Sequence, residues 1–346
     1  MSGFAVDRTG PALAVGGPAP DPRLTGLVEG RGALLLWNLA APQAHPGAIV
    51  WDPALAAEWL WEVYGPDTAA AILDGPDTVA TAWDSPVLDA ARDLALLRWA
   101  EAWWPASYAA AVPALPKALL LAEAAWCTAR VEHLLEDEEA VERALSRVDL
   151  GALAPLRSLP GVDTEIAALS ERLEDLAESY GVVLRAEAPA RREDWALAAG
   201  GPAPGDLTVS GGTVAVDARF TPRGLVDAEA DAAWTLAQRS GAWLLTLTVP
   251  AAPDAADAVL TARFAGLDVP LRLDANGAFT GETEAPLDAV TRLAAETRAL
   301  VHAPWFAPVP PEPGPDDPQW RAAALAFARA RLASPDATLT ERSARS

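Results

Sequence analysis

Three histidines, His45, His133 and His302, are the side chains of this sequence best suited to acid–base or metal chemistry near neutral pH. Only His133 has carboxylates at close spacing, with Glu132 directly before it and Glu136 one helical turn after it. A carboxylate-bridged metal site in a helical bundle needs Glu-x-x-His on two helices, and a second such helix is missing from this sequence. We therefore expect no metal site, and we interpret His133 as a surface or capping residue.

Motifs for covalent catalysis and phosphate binding are absent. Cys127 lies on an apolar helical stretch, where a cysteine acts as a small hydrophobic residue. The sequence contains no G-x-S-x-G, and the S-x-x-K pattern fails because Ala114 stands three residues before Lys117. Lys117 follows Pro116 and lacks the glycines of a phosphate-binding loop. We predict no catalytic residues and no cofactor, although 48 acidic residues leave catalysis by a carboxylate pair open.

The charge balance excludes several classes of partner. The chain has 346 residues and a formal net charge of -22, which repels nucleic acid and anionic membrane surfaces. One cysteine excludes an internal disulfide bond. The first 20 residues lack the pattern of a signal peptide, and no apolar run approaches the length of a membrane span. We expect a cytoplasmic protein that binds neither nucleic acid nor membranes.

Tryptophan is abundant, with 14 residues, and three tryptophans occur within the segment 94–104 (LALLRWAEAWW). Ser85 and Pro86 are typical of a helix start, and Pro105 ends the helix. At about 100° per residue, Trp99, Trp103 and Trp104 share one broad helical face. The spacing favours a buried face, and the alternative is an exposed interface, where tryptophan is often a hot spot.

A second aromatic group precedes that helix. An aromatic-lined pocket with a few carboxylates can bind sugars, cations or planar ligands. The residues assigned to this alternative ligand pocket are Trp51, Trp59, Trp61, Trp83, Glu132 and His133.

The pattern of apolar residues changes from helical to alternating along the chain. Helices are predicted over 86–104, 113–135, 136–148 and 163–180, after an irregular region, 1–82, with short apolar runs. From residue 213 the alternation predicts antiparallel strands, with Asn276-Gly277 as a hairpin turn and 287–302 undecided between a helix and two strands.

The predicted fold class is α+β, with a mostly helical, tryptophan-rich N-terminal domain, an antiparallel β-sandwich-like domain and a C-terminal helix. The predicted parts are the helical domain 1–182, a linker 183–212, the β domain 213–307, a proline-rich linker 308–318, the helix 319–333 and a disordered tail 334–346.

The sequence favours a non-enzymatic adaptor or accessory protein that binds another protein or itself. The C-terminal helix is basic and amphipathic in an acidic chain, which suits either docking onto its own body or binding a partner's groove. The residues predicted to bind a partner are Trp99, Trp103, Trp104, Trp320, Phe327, Arg321 and Arg329. The alternative is a ligand-binding protein or enzyme that uses the aromatic pocket of the N-terminal domain.

Overall fold

The computed structural model describes residues 2–17, 21–39, 44–185, 207–239, 241–293, 296–306 and 318–345. The chain forms two compact units, and neither is continuous in sequence. The first unit contains Met1–Trp103, Leu115–Ala190 and Ala330–Ser346, and the second contains Trp104–Ala114 and Arg191–Arg329.

The first unit begins with strands and continues with helices. Its elements up to residue 180 are β1 (Ser2–Asp7), β2 (Leu13–Val15), β3 (Thr25–Gly30), β4 (Ala33–Asn38), β5 (Gly47–Val50), α1 (Pro53–Ala56), α2 (Leu60–Tyr64), α3 (Pro66–Asp74), β6 (Thr78–Thr81), α4 (Pro86–Trp103), α5 (Lys117–Arg130), α6 (Ala140–Leu145), α7 (Leu150–Leu153) and α8 (Asp163–Tyr180).

The second unit is mainly β. Its strands and short helix are β7 (Leu207–Phe220), β8 (Ala232–Arg239), β9 (Ala242–Pro250), β10 (Val259–Phe264), β11 (Leu267–Leu273), β12 (Ala278–Glu284), α9 (Leu287–Leu293) and β13 (Arg298–His302). The division between the units crosses α10 (Pro318–Ala333), and α11 (Leu339–Ser343) belongs to the first unit.

The predicted helical N-terminal domain is wrong, because the region before α4 forms an antiparallel six-stranded sheet in the order β3-β4-β5-β2-β1-β6. In β4 every second side chain is buried, as expected for a sheet with one face on a core. Gly26 lets β3 lie directly against α4, since a Cβ there would be 3.1 Å from the backbone of Ala95. The prediction failed because glycines and prolines interrupt the alternation in these short strands.

The helices of the first unit follow the sequence pattern more closely. The Ser85 hydroxyl accepts a hydrogen bond from the Leu88 amide at 3.0 Å, and α4 ends at Trp103, just before Pro105. Gly181 ends α8 with a left-handed backbone at φ 66°. The predicted helix 113–135 is shorter in the structure, because Pro116 precedes its first residue and a 3-10 turn follows Arg130.

The predicted sandwich is also wrong, because the strands of the second unit close into a seven-stranded barrel in the order β10-β11-β12-β9-β8-β7-β13. The segment left undecided, 287–302, contains α9 and then β13. β13 pairs antiparallel with β10 and parallel with β7, so it joins what would otherwise be two free edges. Apolar side chains such as Leu247, Phe264 and Phe279 fill the core of this unit.

The segment Trp104–Ala114 belongs to the second unit because the buried carboxylate of Asp227 binds it. Asp227 accepts hydrogen bonds from the Ser107 hydroxyl at 2.7 Å and from the Tyr108 amide at 2.8 Å. The amides of Glu229 and Ala230 also donate to this carboxylate, which therefore joins two segments about 120 residues apart. Hydrogen bonds to a charged group of this kind each contribute about 1.5–3 kcal/mol.

The prediction of a disordered tail over 334–346 is wrong, because Leu339–Ser343 form α11. Thr338 and Glu341 form a capping box at its start, and Leu339 and Glu341 are buried. Glu341 also accepts hydrogen bonds from Arg331 at 2.6 and 2.9 Å. The composition of the tail is typical of disorder, but the capping box and its contacts within the first unit order it.

Most of the two predicted linkers lies outside the described residues, at 186–206 and 307–317. The last six residues of the first predicted linker belong to β7, which begins at Leu207. In the described part of the chain, no helix combines the length and the apolar character needed to cross a membrane.

Closure of the barrel can be tested with a disulfide between β7 and β13. Ala215 and Arg298 are opposite each other in this parallel ladder, and both side chains are partly exposed. Because paired residues have Cα separations within disulfide range, we expect the variant Ala215→Cys/Arg298→Cys to form an intramolecular cross-link under mild oxidation. Intact mass and gel mobility with and without a reductant measure it.

The matched control is Thr213→Cys/Arg298→Cys, which moves one cysteine two residues along the strand to a Cα separation of about 8 Å, beyond disulfide range. It should cross-link much less. Equal cross-linking of both variants, or of neither, would contradict the parallel register and the closed barrel.

Candidate functional site

The three tryptophans predicted to bind a partner around the end of α4 do not share one exposed surface. Trp99 is buried in the first unit and donates its indole N–H to the Arg23 carbonyl at 2.7 Å. Trp104 is buried in the second unit and donates to the Pro113 carbonyl at 2.9 Å, while Trp103 is partly buried. Trp99 and Trp104 are therefore core residues of their units, as the helical spacing favoured.

The partner-binding residues predicted in α10 are spread along that helix. Arg329 is exposed and donates to the Ala110 carbonyl at 3.2 Å, within the second unit. Phe327 and Arg321 are partly buried. Trp320 is in the first turn of the helix, and its side chain is outside the part that the structure describes.

The residues of the predicted ligand pocket separate into a buried and an exposed group. Trp59 is buried and donates to the Arg31 carbonyl at 2.9 Å, and Glu132 accepts a hydrogen bond from the Tyr180 hydroxyl. Trp51, Trp61 and Trp83 are large exposed residues, with 50%, 45% and 38% of each accessible. Trp61 directly precedes Glu62, whose carbonyl accepts a hydrogen bond from Trp83, and we call Trp61 and Trp83 the tryptophan surface.

Both rings of the tryptophan surface are held in place by backbone acceptors of the first unit. The indole N–H of Trp61 donates to the Glu58 carbonyl at 3.0 Å, and that of Trp83 donates to the Glu62 carbonyl at 3.0 Å. Gly65 has φ 83°, and a Cβ on this residue would be 3.1 Å from the Trp83 ring. The polar atom of each ring is thus bonded within the protein, and what remains exposed is largely apolar.

Several charged side chains lie near these rings, either through contacts or as neighbours in sequence. Glu62 accepts a hydrogen bond from His133, with 2.8 Å between Oε1 and Nε2, and this contact explains why His133 lies beside the tryptophans. Glu58 forms an ion pair with Arg31 at 3.0 Å, and Asp84, next to Trp83, is exposed. The tryptophan surface therefore combines exposed aromatic rings with carboxylates.

A separate cavity of about 400 Å³, which we call the cleft, lies in the first unit and has no counterpart in the sequence analysis. Helices α4, α5 and α8 and the segment 336–342 line it. None of the six residues of the predicted ligand pocket lines the cleft. Its acidic lining includes Asp93 on α4 and Glu123 on α5.

Burial changes the proton affinity of the groups in the cleft. It raises the pKa of Asp93, an effect opposed by the nearby guanidinium of Arg92. Burial likewise raises the pKa of Glu123, even though this carboxylate accepts hydrogen bonds from the amides of Leu339 at 2.9 Å and Thr340 at 2.7 Å. The thiol of Cys127 also has a raised pKa, first through burial and then through the two carboxylates, so it is a poor nucleophile.

A sequence signal for the cleft exists, although it is weak. Asp93 stands four residues before Leu97 on α4, and Glu123 stands four residues before Cys127 on α5, so each carboxylate shares a face with an apolar cleft residue. Because α4 packs against α5, the two acidic positions come together. Which side chains meet depends on the rotation of each helix about its own axis, and the sequence pattern does not determine that rotation.

Among the described residues, no cluster of three or more His, Cys, Asp and Glu side chains has the arrangement of a metal site. Comparison of the chain with protein-family models, with curated proteins and with solved structures gave no significant match.

The effect of burial on Asp93 predicts a pH-dependent change in stability. A raised pKa means that the stabilising contribution of this carboxyl is complete below its unfolded pKa and is lost as the pH rises through its folded pKa. We expect Asp93→Asn to unfold at a higher denaturant concentration than the wild type at pH 7, with the difference shrinking towards pH 4. Urea unfolding followed by circular dichroism across this range measures it.

The control is Asp89→Asn, which removes the same charge one helical turn away, where Asp89 forms an exposed ion pair with Arg92 at 2.7 Å. Exposed pairs of this type contribute about 0–1 kcal/mol, so this variant should show no gain at pH 7. A gain in both variants would trace the effect to net charge, and a loss of stability in Asp93→Asn would contradict the burial of an unpaired carboxylate.

Proposed function

We propose that this protein is a non-enzymatic accessory protein of the cytoplasm that binds another protein through the tryptophan surface. The observation that carries the proposal is that Trp61 and Trp83 donate their indole N–H groups to backbone carbonyls while 45% and 38% of these residues remain exposed. Rings that are already fixed lose little conformational entropy when a partner covers them.

Exposed tryptophans at a fixed position favour a protein as the partner. Tryptophan is among the residues most enriched at interface hot spots, where one side chain contributes 2 kcal/mol or more to binding. Leaving such rings in water has a cost, which the protein avoids at Trp59 and Trp99 by burying them. A binding role accounts for the different treatment of the exposed rings.

The surrounding charge favours a basic partner over a second copy of the chain. Three acidic residues lie close to the exposed rings in sequence or by direct contact: Glu58, Glu62 and Asp84. The whole chain also carries a net charge of -22. Two such surfaces would repel each other, whereas arginine or lysine side chains of another protein can stack on the indoles and pair with the exposed carboxylate of Asp84.

The proposal can be tested by placing a photoactivatable phenylalanine analogue at position 61 of the full-length chain and irradiating cells of the source organism. We expect a covalent adduct with one other protein, identified by mass spectrometry. The same analogue at Trp305, an exposed tryptophan of the second unit, should not give this adduct. An adduct that contains only a second copy of the chain would overturn the choice of partner.

Binding of that purified partner is then compared among tryptophan variants. We expect Trp61→Ala and Trp83→Ala each to weaken binding about 30-fold, the equivalent of a 2 kcal/mol hot spot, with weaker binding at high salt. Trp305→Ala is the matched control and should change the affinity less than about two-fold. Unchanged affinity in both test variants, with their folding intact by circular dichroism, would contradict the proposal.

A further inference from the structure

The cleft is independent of the tryptophan surface and has the dimensions of a small-molecule site. Its volume of about 400 Å³ is within the usual range of ligand pockets, about 300–1,000 Å³. Side chains of α4, α5 and α8 form its walls, and the segment 336–342 completes it. Two amides of that segment are held by Glu123, so this wall is fixed by hydrogen bonds within the first unit.

The positive side chains that line the cleft already have partners. Arg342 forms an ion pair with Glu165, and Arg130 donates to the Pro86 carbonyl at 2.9 Å. The guanidinium of Arg172 lies over the Trp126 ring, 5.5 Å from its centroid. These contacts reduce the capacity of the three arginines to bind an anionic ligand.

Asp93 differs from these arginines in its hydrogen bonding. It lines the cleft, it is partly buried, and within the described parts of the chain no group donates a hydrogen bond to its carboxylate. The Glu123 carboxylate also lines this cavity, and its pKa is raised first by burial and further by the charge of Asp93. Arg92, Arg331 and Arg130 offset the charge of Asp93 in part, and a bound ammonium group would supply the hydrogen-bond donor that the Asp93 carboxylate lacks among the described residues.

The apolar residues that line the cleft indicate the chemistry of the uncharged part of the ligand. Leu97, Leu169 and Leu339 supply aliphatic surface, and Trp126 supplies an aromatic ring, one face of which already carries the Arg172 guanidinium. A ligand with a short hydrocarbon body would bury apolar area here while its charged end reaches a carboxylate.

We propose that the cleft binds a small organic amine, whose ammonium group pairs with the Asp93 carboxylate and whose hydrocarbon body packs between Leu97 and Trp126. Glu123 adds negative potential while it holds the wall formed by residues 336–342. This site differs from the tryptophan surface in location, ligand and residues, so either assignment can fail without the other.

The test uses three probes of similar shape and different charge: 2-phenylethylamine, 2-phenylethanol and 3-phenylpropionate. Isothermal titration calorimetry with the full-length protein at pH 7 should show saturable binding of the amine to one site. The neutral alcohol should bind at least about 10-fold more weakly, and the anion more weakly still. Absence of amine binding at concentrations up to about 10 mM, or equal binding of the anion, overturns the proposal.

Substitutions of cleft residues test whether the amine binds in the cleft. We expect Asp93→Asn to weaken binding of the amine at least about 10-fold, while the matched charge change Asp89→Asn leaves it within about two-fold. Ala168→Phe places a ring at the cleft wall without changing charge and should also abolish binding. If the affinity of both Asp93→Asn and Ala168→Phe equals that of the wild type, with each variant folded by circular dichroism, the amine binds elsewhere and the assignment is wrong.

Discussion

A buried indole N–H is costly to leave without an acceptor, and backbone carbonyls supply one for several tryptophans of this chain, whereas the N–H of the buried Trp37 has no partner in the described structure. Trp59 and Trp99 donate to backbone carbonyls inside the first unit, and Trp104 does so inside the second. Trp61 and Trp83 also donate to backbone carbonyls, but from the surface. Backbone carbonyls therefore fix the positions of these rings. The same type of bond holds rings that are buried in a core and rings that are exposed at the surface.

Local sequence signals predicted the elements that depend on them. Ser85 with Pro86 marks the start of α4, Gly181 marks the end of α8, and Asn276-Gly277 turns the chain between β11 and β12. In each case one residue type has a direct effect on the backbone within about one turn.

Features that join distant parts of the chain were not accessible from the sequence. Closure of the barrel depends on β13 pairing with β7, strands that are about 80 residues apart. The position of Trp104 depends on Asp227, and the order of the C-terminal segment depends on Glu123. A carboxylate that accepts backbone amides from a remote segment leaves no periodicity in the sequence, because any acidic residue at that position would give the same pattern. The cleft was missed for the same reason. Among the predicted site residues whose side chains the structure describes, Trp61, Trp83 and His133 meet at a common neighbour, Glu62.

The central claim is the division of the tryptophans between fixed core and fixed surface, and hydroxyl-radical footprinting of the free protein tests it most directly. Oxidation of individual indoles, measured by mass spectrometry after proteolysis, should be fast at Trp51, Trp61 and Trp83 and slow at Trp59 and Trp99. Rapid oxidation of Trp99, or protection of Trp61 and Trp83 in the absence of any partner, would show that the exposed rings identified here are not the ones the protein presents to solvent.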